Sequence, residues 1–269
     1  MSTLVCFHAH PDDESLIMGG SIARASAEGH RVVLVVATNG DHGQIPEDLA
    51  AGETLMDRRR RETQASCDVL GVHRIAWLDY ADSGMTGWAQ NTLPGAFMSA
   101  DTQEAAQRLA DILIEEQADV LTVYDWHGNY GHPDHIKVHQ VGHLAAQIAG
   151  TKNLFETTMN RDHFRLVYEM AKQHAEQMPD GVAPDDFNPD GPADDGNPMG
   201  EPASVISHKV DVTKYCDLKR KAISCHASQV TDTSFFGNMS PEIFQMTFGY
   251  EWFIKVGESG PPRDAWLFE

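Results

Sequence analysis

Val5-Cys6-Phe7-His8-Ala9-His10-Pro11-Asp12-Asp13-Glu14 is an apolar run that ends abruptly in histidine and carboxylates, after which a helical pattern begins. Leu4 to Ala9 is apolar enough to be buried on both faces, as a central parallel strand is. Pro11 restricts His10 to extended backbone and suits the first position of a helix. Asp12, Asp13 and Glu14 therefore fall in or beside a first helical turn, where free N–H groups and the helix dipole favour negative charge. Taken alone, the stretch reads equally well as an acidic helix cap or as a corner where His10 and Asp13 point at one metal ion. A second corner, far downstream, decides between them.

Ser15 to Glu28 has helical spacing and closes on Gly29, a natural C-cap. Arg31 to Ala37 is a second buried strand, Leu55 to Leu70 a charged helix stopped by Gly71, and Arg74 to Leu78 a third strand. That third strand leaves through Asp79-Tyr80-Ala81-Asp82-Ser83-Gly84-Met85. Thr102 to Gln117 is helical, Ala118 to Tyr124 is a fourth strand, and the chain from Asp125 to His135 runs into a helix that ends near Ala149. Strand and helix alternating four times predict an α/β fold with a doubly wound, Rossmann-like, mostly parallel sheet. Residues 1–150 form its core. Residues 151–269 are expected to extend the same domain as a smaller, irregular part, with strands over Phe164 to Tyr168, Ile206 to Val212 and Tyr250 to Val256 and a helix over Asp217 to Ser228. In such sheets ligands bind beyond the carboxyl ends of the strands, where the winding reverses. In a 3-2-1-4 order the first and fourth strands are neighbours there, and those two carry the His/Asp corners.

Composition narrows the function. The 269 residues carry a formal charge of −20, from 40 acidic against 20 basic residues, which repels phosphate backbones and anionic membranes. No apolar run reaches the roughly 18 residues of a spanning helix, and no secretory signature precedes the first strand. A cytoplasmic protein with a small-molecule substrate is expected, and a homo-oligomer is compatible with this. The four cysteines show no CxxC spacing and read as reduced thiols. The Asp-, Pro- and Gly-rich stretch 178–202 is expected to be a mobile, solvated loop; a lid over the site is the lesser alternative.

His132-Pro133-Asp134-His135 repeats the design of the first corner. His135 would join His10 and Asp13 as three ligands with one open position, the arrangement of a catalytic zinc site. Zinc is the first choice, and Fe2+ would accept the same donors. An ion there activates water and polarises a carbonyl. Asp12, next to a ligand, is the candidate general base. Tyr130 and His132 are candidate donors to an oxyanion, and His132 could also protonate the departing nitrogen. Asp134 could hold the His132 ring in one tautomer.

Competing readings exist. His135, His139 and His143 share one helix face, so an ion between His135 and His139 is conceivable, although His139 and His143 read better as packing or surface residues. Ile136 stands where a His-Glu-x-x-His protease needs glutamate. His8 is expected to face away from the ligands, and His127 stays open. Asp82 is either turn chemistry or a hydroxyl-binding carboxylate, and most of Arg58 to Arg61 is a solvated face. A non-catalytic Rossmann-type binding protein is the rival outside hydrolases; no Gly-x-Gly-x-x-Gly follows the first strand, which weakens its nucleotide-binding version.

Ala9-His10-Pro11-Asp12-Asp13-Glu14, Asp82-Ser83-Gly84-Met85 and Tyr130-Gly131-His132-Pro133-Asp134-His135 together resemble the LmbE/PIG-L zinc-dependent N-deacetylases. The similarity is greatest to the branch that deacetylates N-acetylglucosaminyl-inositol in mycothiol biosynthesis. It covers residues 3 to 150 well and the remainder loosely, around Lys221-Ala222 and His226-Ala227-Ser228-Gln229. The resemblance implies His10, Asp13 and His135 as zinc ligands, Asp12 as base, and Tyr130 and His132 around the oxyanion. It further implies substrate contacts from Asp82, from its motif neighbour Met85, and from Arg59, three residues before Glu62. The expected activity is hydrolysis of an acetamide on an amino sugar. Amidases of larger conjugates and antibiotic intermediates are the alternative within the class. Two departures stand out: Thr38-Asn39-Gly40-Asp41, where relatives carry arginine and glutamate around the glycine, and the acidic stretch, which has no clear counterpart.

Overall fold

The structure is a computed structural model that describes residues 1–173, 188, 190–230, 239–258 and 260–269. In chain order β1 (Thr3–His8), β2 (Arg31–Thr38), β3 (Arg74–Tyr80), β4 (Val120–Tyr124) and β5 (Asn153–Thr158) form the parallel part of one sheet. β6 (His208–Asp211), β7 (Tyr250–Lys255) and β8 (Arg263–Asp264) extend it, giving the order β3-β2-β1-β4-β5-β7-β6-β8. β7 runs antiparallel to both β5 and β6. The 3-2-1-4 order expected from the sequence is present, with β1 and β4 side by side.

The helices are α1 (Asp13–Ala27), α2 (Leu55–Leu70), α3 (Thr102–Glu115), α4 (Pro133–Ala149), α5 (Arg161–Gln173), α6 (Cys216–Cys225) and α7 (Pro241–Phe248). Strand alternation divides the core between them. Val5, Phe7, Val33, Val35, Leu121 and Val123 face α3 and α4. Leu4, Cys6, Val32, Leu34 and Val36 face α1, α2 and α6. The central strands are therefore buried on both sides, which is why they read as unbroken apolar runs. No helix among the described residues is long and apolar enough to cross a membrane.

Two expectations for the C-terminal part need correction. Phe164 to Tyr168 is not a strand but the middle of α5. Asn160 Oδ1 accepts the N–H groups of Asp162 and His163 at 3.1 and 3.2 Å, which starts that helix. Phe164, Val167 and Tyr168 then share a face at helical spacing. The strand that follows β4 is β5, a half-polar Asn-Leu-Phe-Glu-Thr-Thr that gave no clear apolar signal. The expected strand at Ile206 to Val212 is the shorter β6 and the expected helix from Asp217 is α6.

A buried ion pair ties this part to the core. α1 is kinked at Met18 (φ −136°, ψ 26°). Glu251 on β7 accepts from the Gly20 and Ser21 N–H groups at 2.9 and 2.7 Å, and Lys219 Nζ lies 2.6 Å from it. The Gly20 and Ser21 N–H groups at the kink are thus paired away from water.

Candidate active site

β1 and β4 end next to each other, and each hands over to a helix through a short corner. At the first corner Asp12 has φ +127°, a conformation unfavourable for any residue with a side chain. Its carboxylate makes no cap bond to α1. A helix-cap reading of this acid is thereby overturned: Asp12 Oδ2 instead accepts from Arg59 Nη2 at 3.0 Å. At the second corner the His132 ring caps α4, Nδ1 accepting the Asp134 N–H at 3.1 Å, with Pro133 at the first helical position. Gly128 (φ +67°) lets the chain pass over His135, since a Cβ there would lie 2.3 Å from the His135 Cβ.

The corners bring three donor atoms together. His135 Nε2 lies 3.3 Å from His10 Nδ1 and 3.4 Å from Asp13 Oδ2, and His10 Nδ1 lies 3.5 Å from Asp13 Oδ2. Ligand atoms about 2.0–2.1 Å from a tetrahedral ion stand about 3.3 Å apart. The triangle therefore has the size of one face of such a site, with donors that zinc accepts. The opposite ring nitrogens are held. His135 Nδ1 faces the Gly128 carbonyl at 3.2 Å, and His10 Nε2 faces Asp134 Oδ2 at 3.2 Å and Asp82 Oδ1 at 3.6 Å. Proton donation from those nitrogens leaves the lone pairs of His10 Nδ1 and His135 Nε2 turned toward the shared space, the usual support of metal-binding histidines.

Two other groupings share His10. Nitrogens of His10, His132 and His135 lie within 4.8 Å of one another, as do ligand atoms of His10, Asp82 and Asp134. In the first, His132 Nδ1 is occupied by its helix cap. In the second, Asp134 already accepts from the Ser83 N–H and Ser83 hydroxyl. The set with Asp13 is the one whose three donor atoms stand 3.3, 3.4 and 3.5 Å apart.

The charges follow from burial and partners. Burial opposes a charge on His10, yet Asp82, Asp13 and Asp134 hold it well above its ordinary value. Burial likewise opposes ionisation of Asp13, yet His135 and His10 hold it well below the usual carboxylate range. Burial pushes Asp12 up to about 6, with Arg59 pulling against it and Asp13 adding to it. Burial, then His10 and His135, push His132 down to about 3. The neutral His132 ring keeps its remaining proton on Nε2.

Several expected roles change. Asp134 does not orient His132 through its carboxylate, which holds His10; only its backbone N–H touches His132. Arg59 is 4 % exposed and donates to the Pro11 and Gly40 carbonyls as well as to Asp12, so it braces the Asp12 corner from within the fold. Asp82 is buried, accepting from the Gly84 and His42 N–H groups beside His10. Met85 is 37 % exposed. Tyr130 Oη stands 3.5 Å from His135 Nε2, within the ligand nest. His139 and His143 turn to Glu156, and His8 bonds the Tyr124 hydroxyl at 2.9 Å. His127 is buried, with Nδ1 3.4 Å from Asp195.

The stretch 178–202 lies partly outside the described residues. Its described part, 188 and 190–202, is not a free solvated loop. Asp194 N–H donates to the Tyr130 carbonyl at 2.9 Å, and Gly200 N–H donates to the Asn129 carbonyl at 2.6 Å. The prolines and glycines make tight turns that strap the second corner from outside.

Sequence reasoning missed the layer beneath Asp12. Glu14 Oε2 accepts the Asp12 N–H at 3.1 Å, while Glu14 Oε1 accepts from Ser66 and lies 2.7 Å from His226 Nε2. Ser228 bonds Glu62 through its N–H and hydroxyl, and Gln229 bonds both polar groups of the Gln44 backbone. The loosely matching His226-Ala227-Ser228-Gln229 segment is thus an anchor for the first corner, α2 and the following loop. Tyr124, whose ring stacks on His135 at 4.4 Å, was also unforeseen.

A Rossmann-like sheet with a buried imidazole–carboxylate nest at its switch point defines a candidate metal-dependent hydrolase. Residues 5–146 match the PIG-L family, described as GlcNAc-PI de-N-acetylase, and the chain belongs to that family. It is similar to the 1D-myo-inositol 2-acetamido-2-deoxy-alpha-D-glucopyranoside deacetylases of Streptomyces avermitilis (36 % identical, covering 99 % of this chain and 96 % of that one) and Nocardiopsis dassonvillei (36 %, 93 % and 92 %). Among solved structures, N,N'-diacetylchitobiose deacetylase from Pyrococcus horikoshii aligns with TM-score 0.58 and 24 % identity over 95 % of this chain and 84 % of that one. The 4-carboxy-2-hydroxymuconate hydratase GalB of Pseudomonas putida aligns with TM-score 0.60 and 17 % identity over 98 % and 100 %. A hydratase on this fold means that the sheet alone does not decide the reaction.

Proposed function

We propose that the chain removes the acetyl group from an amino-sugar amide of the N-acetylglucosaminyl-inositol type, with a divalent ion held by His10, Asp13 and His135. The observation that carries this reading is the triangle of 3.3, 3.4 and 3.5 Å between His10 Nδ1, Asp13 Oδ2 and His135 Nε2, next to an acid whose burial brings it up to about 6. The relatives named as deacetylases support it over nearly the full chain. Zinc suits the donor set, and Fe2+ accepts the same donors. When bound, such an ion polarises the amide carbonyl and makes water a stronger acid.

The side chains supply the rest. Asp12, ionised near neutral pH, takes a proton from the attacking water and passes it to the departing nitrogen. His132, neutral with its proton on Nε2, donates to the developing oxyanion, with the Tyr130 hydroxyl beside it. That replaces the expected protonation of the amine by His132, whose depressed basicity suits a donor of hydrogen bonds and not a carrier of protons. Asp134 and Asp82 hold His10, and Arg59 holds Asp12. Met85 contacts substrate.

Purified protein should contain a divalent ion by elemental analysis, lose amine release from N-acetylglucosaminyl-inositol in chelator, and regain it on adding zinc or Fe2+. Full activity in metal-free protein would sink the proposal. Comparing N-acetylglucosaminyl-inositol with free N-acetylglucosamine and chitobiose identifies the preferred sugar.

A further inference from the structure

Among the described residues, one cluster of metal-ligating side chains does not involve His10. Single ligand atoms of His139, His143 and Glu156 lie within 4.8 Å of one another. His139 and His143 stand on successive turns of α4 with ring centroids 4.2 Å apart, and Glu156 reaches them from β5. Both imidazoles approach the same oxygen: His143 Nε2 is 2.8 Å and His139 Nδ1 3.4 Å from Glu156 Oε1.

Two imidazoles four residues apart on one helix face, completed by one carboxylate, are a donor set that zinc accepts. Among the described residues no lysine or arginine pairs with Glu156, so its charge is shared by the two rings alone. The three side chains are 21, 27 and 14 % exposed, which lets an ion arrive from solvent. The Tyr124 carbonyl oxygen lies 3.1 Å from His139 Nδ1. It accepts that N–H if Nε2 takes an ion, the outer support common to metal-binding histidines. If Nδ1 takes the ion instead, its 3.4 Å from Glu156 Oε1 is close to the roughly 3.3 Å between two donors on one tetrahedral ion.

We propose that His139, His143 and Glu156 form a second divalent-metal site, separate from the nest of His10, Asp13 and His135, for a first-row transition ion of the zinc type. Imidazole donors favour such an ion over Mg2+ and Ca2+, which prefer oxygen ligands. The formal charge of −20 helps to draw cations in. Bound there, the ion ties α4 to β5. His135 projects from the first turn of the same helix, about 6 Å along its axis from His139. Tyr124, whose carbonyl faces His139, stacks its ring on His135. The second ion thus stiffens the seat of the nest without giving it a ligand. The proposal does not depend on the amide-hydrolase reading.

The test titrates untagged, metal-free protein with Zn2+ by calorimetry in buffer with excess Mg2+, which occupies plain carboxylates. Two zinc ions per chain are expected. His143→Ala and Glu156→Gln should each weaken one of the two by more than about 100-fold, beyond the loss of an outer partner of a metal site, and leave the other unchanged. His135→Ala should do the reverse, losing the nest's ion and keeping this one. In His135→Ala protein zinc should raise the denaturation midpoint, and in His135→Ala/His143→Ala the rise should vanish. A wild-type chain that binds no more zinc than His143→Ala and Glu156→Gln do refutes the site, and that comparison stands even if His135→Ala does not fold. A chain that holds the His143-dependent ion yet releases no amine from N-acetylglucosaminyl-inositol keeps this site and loses the hydrolase reading.

Discussion

His226→Ala should damage both stability and turnover without touching a ligand atom. Glu14 and His226 are completely buried and 2.7 Å apart, and the other Glu14 oxygen holds the N–H of Asp12 at 3.1 Å. Burial opposes the charge on each, yet each keeps the other ionised, Glu14 below and His226 above its ordinary value. Among the described residues, removing the imidazole leaves a buried carboxylate with only Ser66 and the Asp12 N–H as partners. Breaking one side of such a pair costs about 3–5 kcal/mol. The catalytic loss has a separate cause. Asp12 sits at φ +127°, and a backbone in that region relaxes when its restraints go. A shift of about 1 Å in a reacting group costs about 100-fold in rate, so kcat should fall by that order with KM little changed. Urea denaturation, metal content and steady-state kinetics on one preparation separate the effects. The double variant Glu14→Gln/His226→Ala should be less destabilised than the sum of the single variants by at least about 1 kcal/mol. A His226→Ala protein with wild-type stability and kcat within about threefold of wild type would refute the reasoning.

Asp12→Ala should keep its metal and lose about 10²- to 10⁴-fold in kcat, as loss of a general base does; His135→Ala should lose the metal by elemental analysis. The pH profile of kcat/KM should rise as Asp12 ionises, with its midpoint at or below about 6, because burial raises the group and a nearby cation lowers it; a flat acid limb down to about pH 4 would remove Asp12 as base. The Glu14–His226 contribution to stability should be lost as pH rises through the raised value of His226 or falls through the lowered value of Glu14, visible as a wild-type denaturation midpoint that approaches that of His226→Ala at either extreme. Lys219→Met, which strands Glu251 against the α1 kink, should cost about 3–5 kcal/mol in denaturation with little effect on KM.

The parallel half of the sheet was legible because each of its central strands is buried on both faces and so is apolar throughout. Helix ends were legible where a cap carries a chemical signal, as Gly29 and Gly71 do at left-handed φ. Past Leu154 the signal weakened: β5 is half polar, and the apolar residues of α5 fit a strand as well as a helix over a five-residue window. The convergence of His10, Asp13 and His135 followed from topology, since two strand ends with like corners became neighbours. The partners of those residues did not follow. Nothing local to Asp134 says that its carboxylate crosses to His10, and nothing local to Arg59 says that it closes on Pro11, Gly40 and Asp12.

Residue chemistry by itself determined the winding of the parallel strands and the atoms offered to an ion, because solvent exclusion and capping act over a few neighbouring residues and leave a pattern in the chain. Only the tertiary structure decided which carboxylate braces which ring and that His226 props the corner at Asp12. Those outcomes depend on groups more than a hundred positions apart meeting at about 3 Å in a dry interior, where an ion pair is strong and a missing partner is costly.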